Sequence, residues 1–329
     1  MKRRPVKEHA LWRAALFVTV ALVALFPACE RPAPADKPAR VVVRLATGPR
    51  GGGFFPLGEQ VAGALGALMP NVEIKTFVSS GAVSNLESVQ RGEADLGFTF
   101  SDVAYIAFNG QLDDNPVPFD RLRGIAVLQL TPISLVARAD APIRGLADLR
   151  GRRVAVGPLG SGTALTANLI LHAFGLDPPI VHAETVSFQD AATRVLNGTL
   201  DAMFDNAISQ SDSLRRATEG GARPVPIEGP AVDRLRRDYP FFKVTVIPRE
   251  MYPPTLTAVH TIGVDGLLIC RRDLDQALVY ELTKQLFTSL QSLSTSGTLG
   301  LMDLDQAPAT PIPLHDGAAR YYRERELAR

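Results

Sequence analysis

Ala46-Thr47-Gly48-Pro49-Arg50-Gly51-Gly52-Gly53-Phe54-Phe55-Pro56-Leu57-Gly58 is the stretch on which the fold turns. Just before it, residues 41–46 form a β-rich apolar run. From Pro56 to about Met69 apolar residues recur at helical spacing. A strand that ends in glycines and opens into a helix is the building unit of a parallel α/β sheet. In such sheets ligands sit beyond the carboxyl ends of the strands, where unpaired helix N–H groups point at them. Three successive glycines also let backbone approach a ligand closely. The run lacks the Gly-Lys-Ser/Thr ending of a phosphate loop. It also lacks the glycine spacing and the acidic residue of a dinucleotide fingerprint. Alone, it reads equally as a glycine-rich turn that binds nothing.

Further along, the alternation continues. Residues 72–78 alternate as a strand should, 84–91 have helical spacing closed by Gly92, 94–100 read as a third strand and 102–108 as a helix. After a loop at 109–123 come two extended runs, 124–130 and 133–138. The pattern then restarts with a helical turn at 146–149, a strand at 153–156 and a helix at 163–174. A strand near 180–184, a helix at 188–196 and a strand at 200–204 follow. A strand at 261–269 and a long helix at 274–290 end the series, the helix carrying Leu278, Leu282, Leu286 and Leu290 on one face. This predicts an α/β protein of two lobes, 41–130 with 258–329 and 131–257. The chain crosses between them near residues 129–136 and 250–265.

The chain has 329 residues, 46% hydrophobic and 21% charged, long enough for two domains. Its formal net charge is +1, from 35 basic and 34 acidic residues. Lys2, Arg3, Arg4, Lys7 and Arg13 lie before Cys29 against the single acid Glu8, so the body beyond it is slightly acidic. Nucleic acid is excluded as a partner, since no basic face is available to displace phosphate counterions. Residues 1–29 read as a signal segment, because a basic start precedes the uncharged run 14–26, too short for a stable membrane anchor. Ala28-Cys29 suits a bacterial lipoprotein signal, whereas Phe26 and Pro27 do not. Lipidation of Cys29, simple cleavage nearby and an uncleaved anchor all stay open. The Pro-rich segment 30–40 would serve as a tether. The other cysteine, Cys270, lies in an apolar run and reads as a buried structural thiol.

Two more loops follow predicted strands and open helices: Ser79-Ser80-Gly81-Ala82-Val83-Ser84-Asn85 and Gly157-Pro158-Leu159-Gly160-Ser161-Gly162-Thr163. Ser80 could cap its helix and Asn85 point inward from the first turn. Amides at the second loop, with the Ser161 and Thr163 hydroxyls, make a cradle for a carboxylate or sulfonate. Asp205-Asn206 ends a strand of the second lobe and would face the same cleft. Tyr252 lies near the second crossing and could cover a ligand, and Phe54 and Phe55 should split between core and cleft. Against each stands a bland reading as a cap, turn or strand end. Catalysis is disfavoured. The histidines are scattered without metal-ligand spacing, and Gly160-Ser161-Gly162 is no nucleophile elbow. No cofactor is called for.

Taken in order, these blocks resemble the TAXI family of solute-binding proteins, receptors of one branch of the tripartite ATP-independent periplasmic (TRAP) transporters. The family pattern Ala-Thr-Gly-Gly-Thr-Gly-Gly-Thr-Tyr-Tyr-Pro-Leu-Gly aligns with residues 46–58 without gaps. Ser80-Gly81 with Asn85, Gly92-Glu93-Ala94-Asp95, Ser101-Asp102 with Tyr105, Gly160-Ser161-Gly162-Thr163, Tyr239-Pro240 with Tyr252-Pro253, and the segments 279–287 and 312–322 match further blocks. The resemblance implies a periplasmic-binding-protein (Venus flytrap, type II-like) fold with two crossover strands. It implies a small carboxylate or amino-acid-like ligand between the lobes, and a multi-spanning permease as partner. It carries Thr47, Gly53, Phe54, Ser80, Gly81, Asn85, Ser161, Gly162, Thr163 and, more weakly, Asp205 as ligand contacts. The chain departs from the pattern at Phe54 and Phe55, which replace tyrosines, at Arg50, which replaces a threonine, and at Phe100, where glutamine is common. These changes predict a ligand more apolar than glutamate, with Arg50 adding a cation if it points inward. Rival readings are the binding protein of an ATP-driven importer, a ligand-sensing receptor for a membrane signalling protein, and an enzyme of the same shape.

Overall fold

Apolar runs bounded by turn residues become the strands of a single curled sheet, and the helices between them cover its faces. The computed structural model describes residues 40–206, 211–247, 249, 258–295 and 305–327, with side chains of the helix ending at Thr295 described as far as Ser289. The expected signal segment, Cys29 and Tyr252 lie outside the described residues. Among the described residues no helix is long and apolar enough to cross a membrane.

The first series is β1 (Val41–Ala46), α1 (Phe54–Leu68), β2 (Val72–Phe77), α2 (Ala82–Arg91), β3 (Leu96–Phe100) and α3 (Ser101–Phe108). β1 pairs in parallel with β2 and β3, and β3 is buried along its whole length, as a parallel strand covered on both faces must be. A second series repeats the first: β5 (Arg153–Ala155), α4 (Gly162–Ala173), β6 (His182–Glu184), α5 (Phe188–Leu196) and β7 (Ala202–Asn206), with β5 parallel to β6 and β7.

Between the two series runs β4 (Leu122–Ala137), one strand where the sequence suggests two. Thr131-Pro132 breaks the run to the eye, but the proline falls where the strand changes neighbour. Up to Pro132 β4 pairs antiparallel with β10 (Val259–Arg271), and from Ile133 onward with β7. A residue without an N–H is tolerated at such a handover. The full order is β2-β1-β3-β10-β4-β7-β5-β6, with β8 (Arg223–Val225) added to β4 and β9 (Lys243–Ile247) to β10. The parallel strands are therefore joined through antiparallel ones.

Two further helices, α6 (Asp212–Glu219) and α7 (Pro230–Asp238), have no counterpart in the sequence reading. Each is short and mostly charged, and each buries a narrow apolar edge: Leu214 and Ala217 in α6, Ala231, Val232 and Leu235 in α7. The paired arginines of both helices face solvent. α8 (Gln276–Thr295) packs on α1 and buries Val279, Leu282 and Leu286. α9 (Asp316–Leu327) follows a bridge from Leu314 to Gly124, and its Tyr322 hydroxyl donates to the Ile125 carbonyl at 2.8 Å. The C-terminal segment thus returns to the first series. Cys270 is buried, and burial pushes its thiol pKa up, as suits an unreactive core residue.

Candidate functional site

Three helices, α1, α2 and α4, each follow a strand after a short loop, and their first residues meet. Gly52, Gly53 and Phe54 open α1, Ser80, Gly81 and Ala82 open α2, and Ser161, Gly162 and Thr163 open α4; all nine line one cleft. The amides at the first turn of a helix have no partner within it, so the cleft is bordered by three sets of backbone donors. Phe100 and Phe188 give it apolar walls, and Asp205 and Asn206, at the end of β7, face it from the second series. The cavity these residues enclose has a volume of about 30 Å³, room for little more than water.

Local sequence explains each loop. Ser161 is the N-cap of α4: its Oγ accepts from the Ala164 N–H at 3.1 Å and donates to the Pro158 carbonyl at 2.6 Å. Its hydroxyl is thus occupied by the cap, while its backbone stays at the cleft. Gly81 precedes α2 with φ +130° and ψ −155°, a conformation that side chains disfavour. A Cβ there would stand 3.1 Å from the Ser161 Cα, so the second and third loops touch. The Ser84 N–H donates to the Gly160 carbonyl at 3.2 Å, and Gly162 lies so close to Phe100 that a Cβ would come within 2.5 Å of its ring. The cleft is closed by these contacts.

Thr47 and Asn85 lie behind the lining rather than in it. The Thr47 hydroxyl donates to the Phe77 carbonyl at 2.9 Å. Asn85 is fully buried; its Nδ2 donates to the Thr47 carbonyl at 2.5 Å and the Phe98 carbonyl at 2.7 Å, and its Oδ1 accepts from Ser79 at 2.6 Å. One amide side chain thereby fixes the ends of β1 and β3 and the loop after β2. Phe54 is buried and lines the cleft, stacked on Phe98 at 5.6 Å and tilted against Phe100 at 4.7 Å between ring centroids. Phe55 is half-buried beneath the Arg50 guanidinium, 4.9 Å from its ring centroid. Arg50 is exposed and is not among the lining residues, so the cation foreseen for the cleft stands outside it.

The charged residue of the lining is Asp205, 2% exposed. Its Oδ2 accepts from the Ser211 hydroxyl at 2.6 Å, and its Oδ1 has no hydrogen-bond partner. Burial raises its pKa to about 6 against the opposing effect of the Ser211 bond. Asn206 is likewise buried, donates from Nδ2 to Thr166 Oγ1 at 3.4 Å and leaves its Oδ1 unpartnered. Thr166 in turn donates to Asp102 Oδ2 at 2.5 Å, tying α4 to α3. Asp102 is fully buried; desolvation lifts its pKa to about 6, opposed by the bonds from Thr166 and the Val103 N–H. The sequence reading placed Asp205 and Asn206 together at a strand end facing the cleft, and both line it; it missed Phe188 and the Asp102–Thr166 link. Of these two only Phe188 had a signal, at a helix start.

A model of the NMT1-like family matches residues 45–325. Among solved structures, the periplasmic binding protein BugD aligns with TM-score 0.59 at 14% identity, over 88% of this chain and 96% of that one. MatC from Rhodopseudomonas palustris with bound malate aligns with TM-score 0.55 at 18% identity, over 88% and 98%. The alkanesulfonate-binding protein SsuA from Xanthomonas axonopodis pv. citri, bound to MOPS, aligns with TM-score 0.50 at 18% identity, over 88% and 85%. The fold is thus the mixed α/β, type II-like arrangement of periplasmic binding proteins. With the family model covering nearly all of the described body, this chain belongs to the NMT1-like family.

Proposed function

We propose that the protein is an exported solute receptor, a binding protein rather than an enzyme. It would close two lobes on a small carboxylate or amino-acid-like ligand and deliver it to a TRAP-type membrane permease, as a TAXI-type receptor does. The observation that carries this reading is the convergence of three helix N-termini from both series of elements on one closed cleft. Residues 41–130 with 258–329 form the first lobe in this reading, and 131–257 the second. β4, which pairs with β10 up to Pro132 and with β7 beyond it, runs through both parts of the sheet, and it and β10 are the strands about which the lobes would turn. Contacts made only in the closed form, such as those of Gly81 and Gly162 with the opposite wall, are what a ligand would reinforce to shift the population towards closure. Similarity to BugD, MatC and SsuA supports a receptor role outside the cytoplasm. The signal segment 1–29, with Cys29 as the lipidated residue holding the protein at the membrane, completes the proposal.

A thermal-shift screen against carboxylates, sulfonates and amino acids tests it. A one-site ligand at 100 times its Kd adds about 2.7 kcal/mol to stability. A clear upward shift with one compound class is expected, and flat melting curves across all classes would remove the receptor reading. Copurification of the full chain with a multi-spanning permease would favour the TRAP assignment. Copurification with an ATPase-coupled importer, or with a membrane sensor, would replace it.

A further inference from the structure

The two unpartnered oxygens in the cleft decide what the ligand must bring. Asp205 and Asn206 are consecutive at the end of β7, 2% and 5% exposed, and both line the cavity. Each has one polar atom already engaged, Asp205 Oδ2 with Ser211 and Asn206 Nδ2 with Thr166. Each keeps one acceptor, Asp205 Oδ1 and Asn206 Oδ1, buried and without a hydrogen bond. A buried acceptor left unpaired is costly, so two of them on residues that line one cleft favour a ligand that brings a donor. No lysine, arginine or histidine is among the lining residues, and Asp205 has no ion-pair partner among the described residues. Arg50, the nearest candidate by sequence, is spent on the Phe55 ring outside. The opposite walls carry the first turns of α1, α2 and α4, whose N-terminal ends favour the negative end of a ligand, although the Gly52, Gly81 and Ser161 N–H groups are already bonded.

We infer that the cleft selects a solute with an amine or ammonium group, which donates to Asp205 and Asn206, and that its ligand is therefore zwitterionic or basic rather than a simple carboxylate or sulfonate. This rests on the solute-receptor reading given above and narrows it. The acidic end of a zwitterion would lie against the helix amides and the basic end against the β7 carboxylate, so each end meets its complement. An anion without a donor would put like charges together where water is excluded and would leave both oxygens unpaired. The phenyl rings of Phe54, Phe100 and Phe188 leave the ligand's middle in apolar surroundings.

Isothermal titration of the protein with matched series tests the inference: alanine, propionate and ethylamine; glutamate, glutarate and γ-aminobutyrate; phenylalanine, hydrocinnamate and phenethylamine; taurine and ethanesulfonate. The amine-bearing members should bind roughly tenfold tighter or more than their deaminated partners, and Asp205→Asn should lower their affinity by a similar factor. Asn206→Ala reads the second acceptor independently and should weaken the same compounds. If propionate, glutarate, hydrocinnamate or ethanesulfonate binds as tightly as its aminated partner, or if the preference survives Asp205→Asn in a folded variant, the inference is overturned while the receptor reading stands. Absence of binding by every compound, together with a flat thermal-shift screen, would overturn both.

Discussion

Asp205 holds a carboxylate where solvent does not reach, and its titration should be visible in the stability of the protein. Burial raises its pKa in the folded chain to about 6, from an ordinary carboxyl value of 3.8. The folded state therefore holds the proton more tightly than the unfolded state. The neutral acid contributes fully below pH 3.8, and that contribution is lost as the pH rises through 6. Asp102 should behave alike, while buried His315, whose pKa is lowered by desolvation, acts in the opposite sense. Comparing Asp205→Asn with the parent isolates one group from the others. The variant should gain stability relative to the parent between pH 4 and pH 7.5, by about 3 kcal/mol at most, since two pKa units correspond to roughly that much. Urea unfolding at the two pH values measures it, and a difference independent of pH would show that the carboxylate is not desolvated. The same scale explains why Asn85 and Ser161 are better described as positioning residues. Their side-chain polar groups are spent on strand ends and on a helix cap, and what they place at the cleft is backbone.

At the scale of elements, each series closes its last turn with the same device. In the first, Asp95 accepts from the Arg44 N–H at 2.9 Å, from Nε at 3.0 Å and from Nη2 at 2.9 Å, and Nη2 also donates to the Gly92 carbonyl. In the second, Asp201 accepts from the Arg153 N–H at 2.9 Å, from Nε at 3.1 Å and from Nη2 at 3.0 Å, and Nη2 also donates to the Gly198 carbonyl. A glycine ending a helix and an aspartate three residues later thus tie the incoming strand to an arginine on its neighbour, twice in one chain. Both aspartates are 6% exposed, so Asp95→Ala or Asp201→Ala would remove the partner of a strand N–H and release a half-exposed guanidinium to water. Each substitution should cost roughly 1–2 kcal/mol, the range for charged hydrogen bonds reduced by the solvent that screens the arginines. Ligand affinity should be unchanged, because the device sits at the start of β3 and β7 and the cleft at their ends. Melting curves with and without ligand separate the two effects; unaltered melting of either variant would make the repeated device ornamental. How far elements were legible follows from their physics. Strands β1 to β3 and helices such as α5 declare themselves by period and by capping serine or glycine. β4 did not, because continuity through Pro132 depends on which neighbour each residue meets. α6 and α7 did not, because a helix of eight or nine residues with charges on most faces has almost no apolar period. The lining glycines and hydroxyls of the cleft could be read from strand-loop-helix order. The orientations of Arg50 and Phe55 and the orphan oxygens of β7 could not, since they depend on residues distant in sequence.

For the molecule as a whole, the closed cleft and the paired crossing strands imply a single mechanical requirement. A cavity of about 30 Å³ does not admit an amino acid or a metabolite of similar size, so a ligand can enter only after the walls separate. Separation must break the Ser84–Gly160 hydrogen bond and the Thr166–Asp102 link, both of which join the first series to the second, while β4 and β10 keep their pairing. A reversible staple across the cleft should therefore control access. A Cβ at Gly160 would lie 3.4 Å from the Ser80 Cβ, close to the separation a disulfide spans. The pair Ser80→Cys with Gly160→Cys, placed in a Cys29→Ser background, should close under oxidation with little movement. Gly160 has φ +76°, so the cysteine there costs about 1–2 kcal/mol of backbone strain, and the Ser84 hydroxyl must rotate aside. Oxidised protein should then bind the best compound of the titration series at least a hundredfold more slowly than reduced protein, with stopped-flow fluorescence as the readout. Reduction should restore the rate of the parent, because the staple alone blocks the opening. Equal association rates before and after reduction would mean that ligand reaches the Asp205 wall without separation of the two series, and β4 and β10 would then be struts rather than hinges.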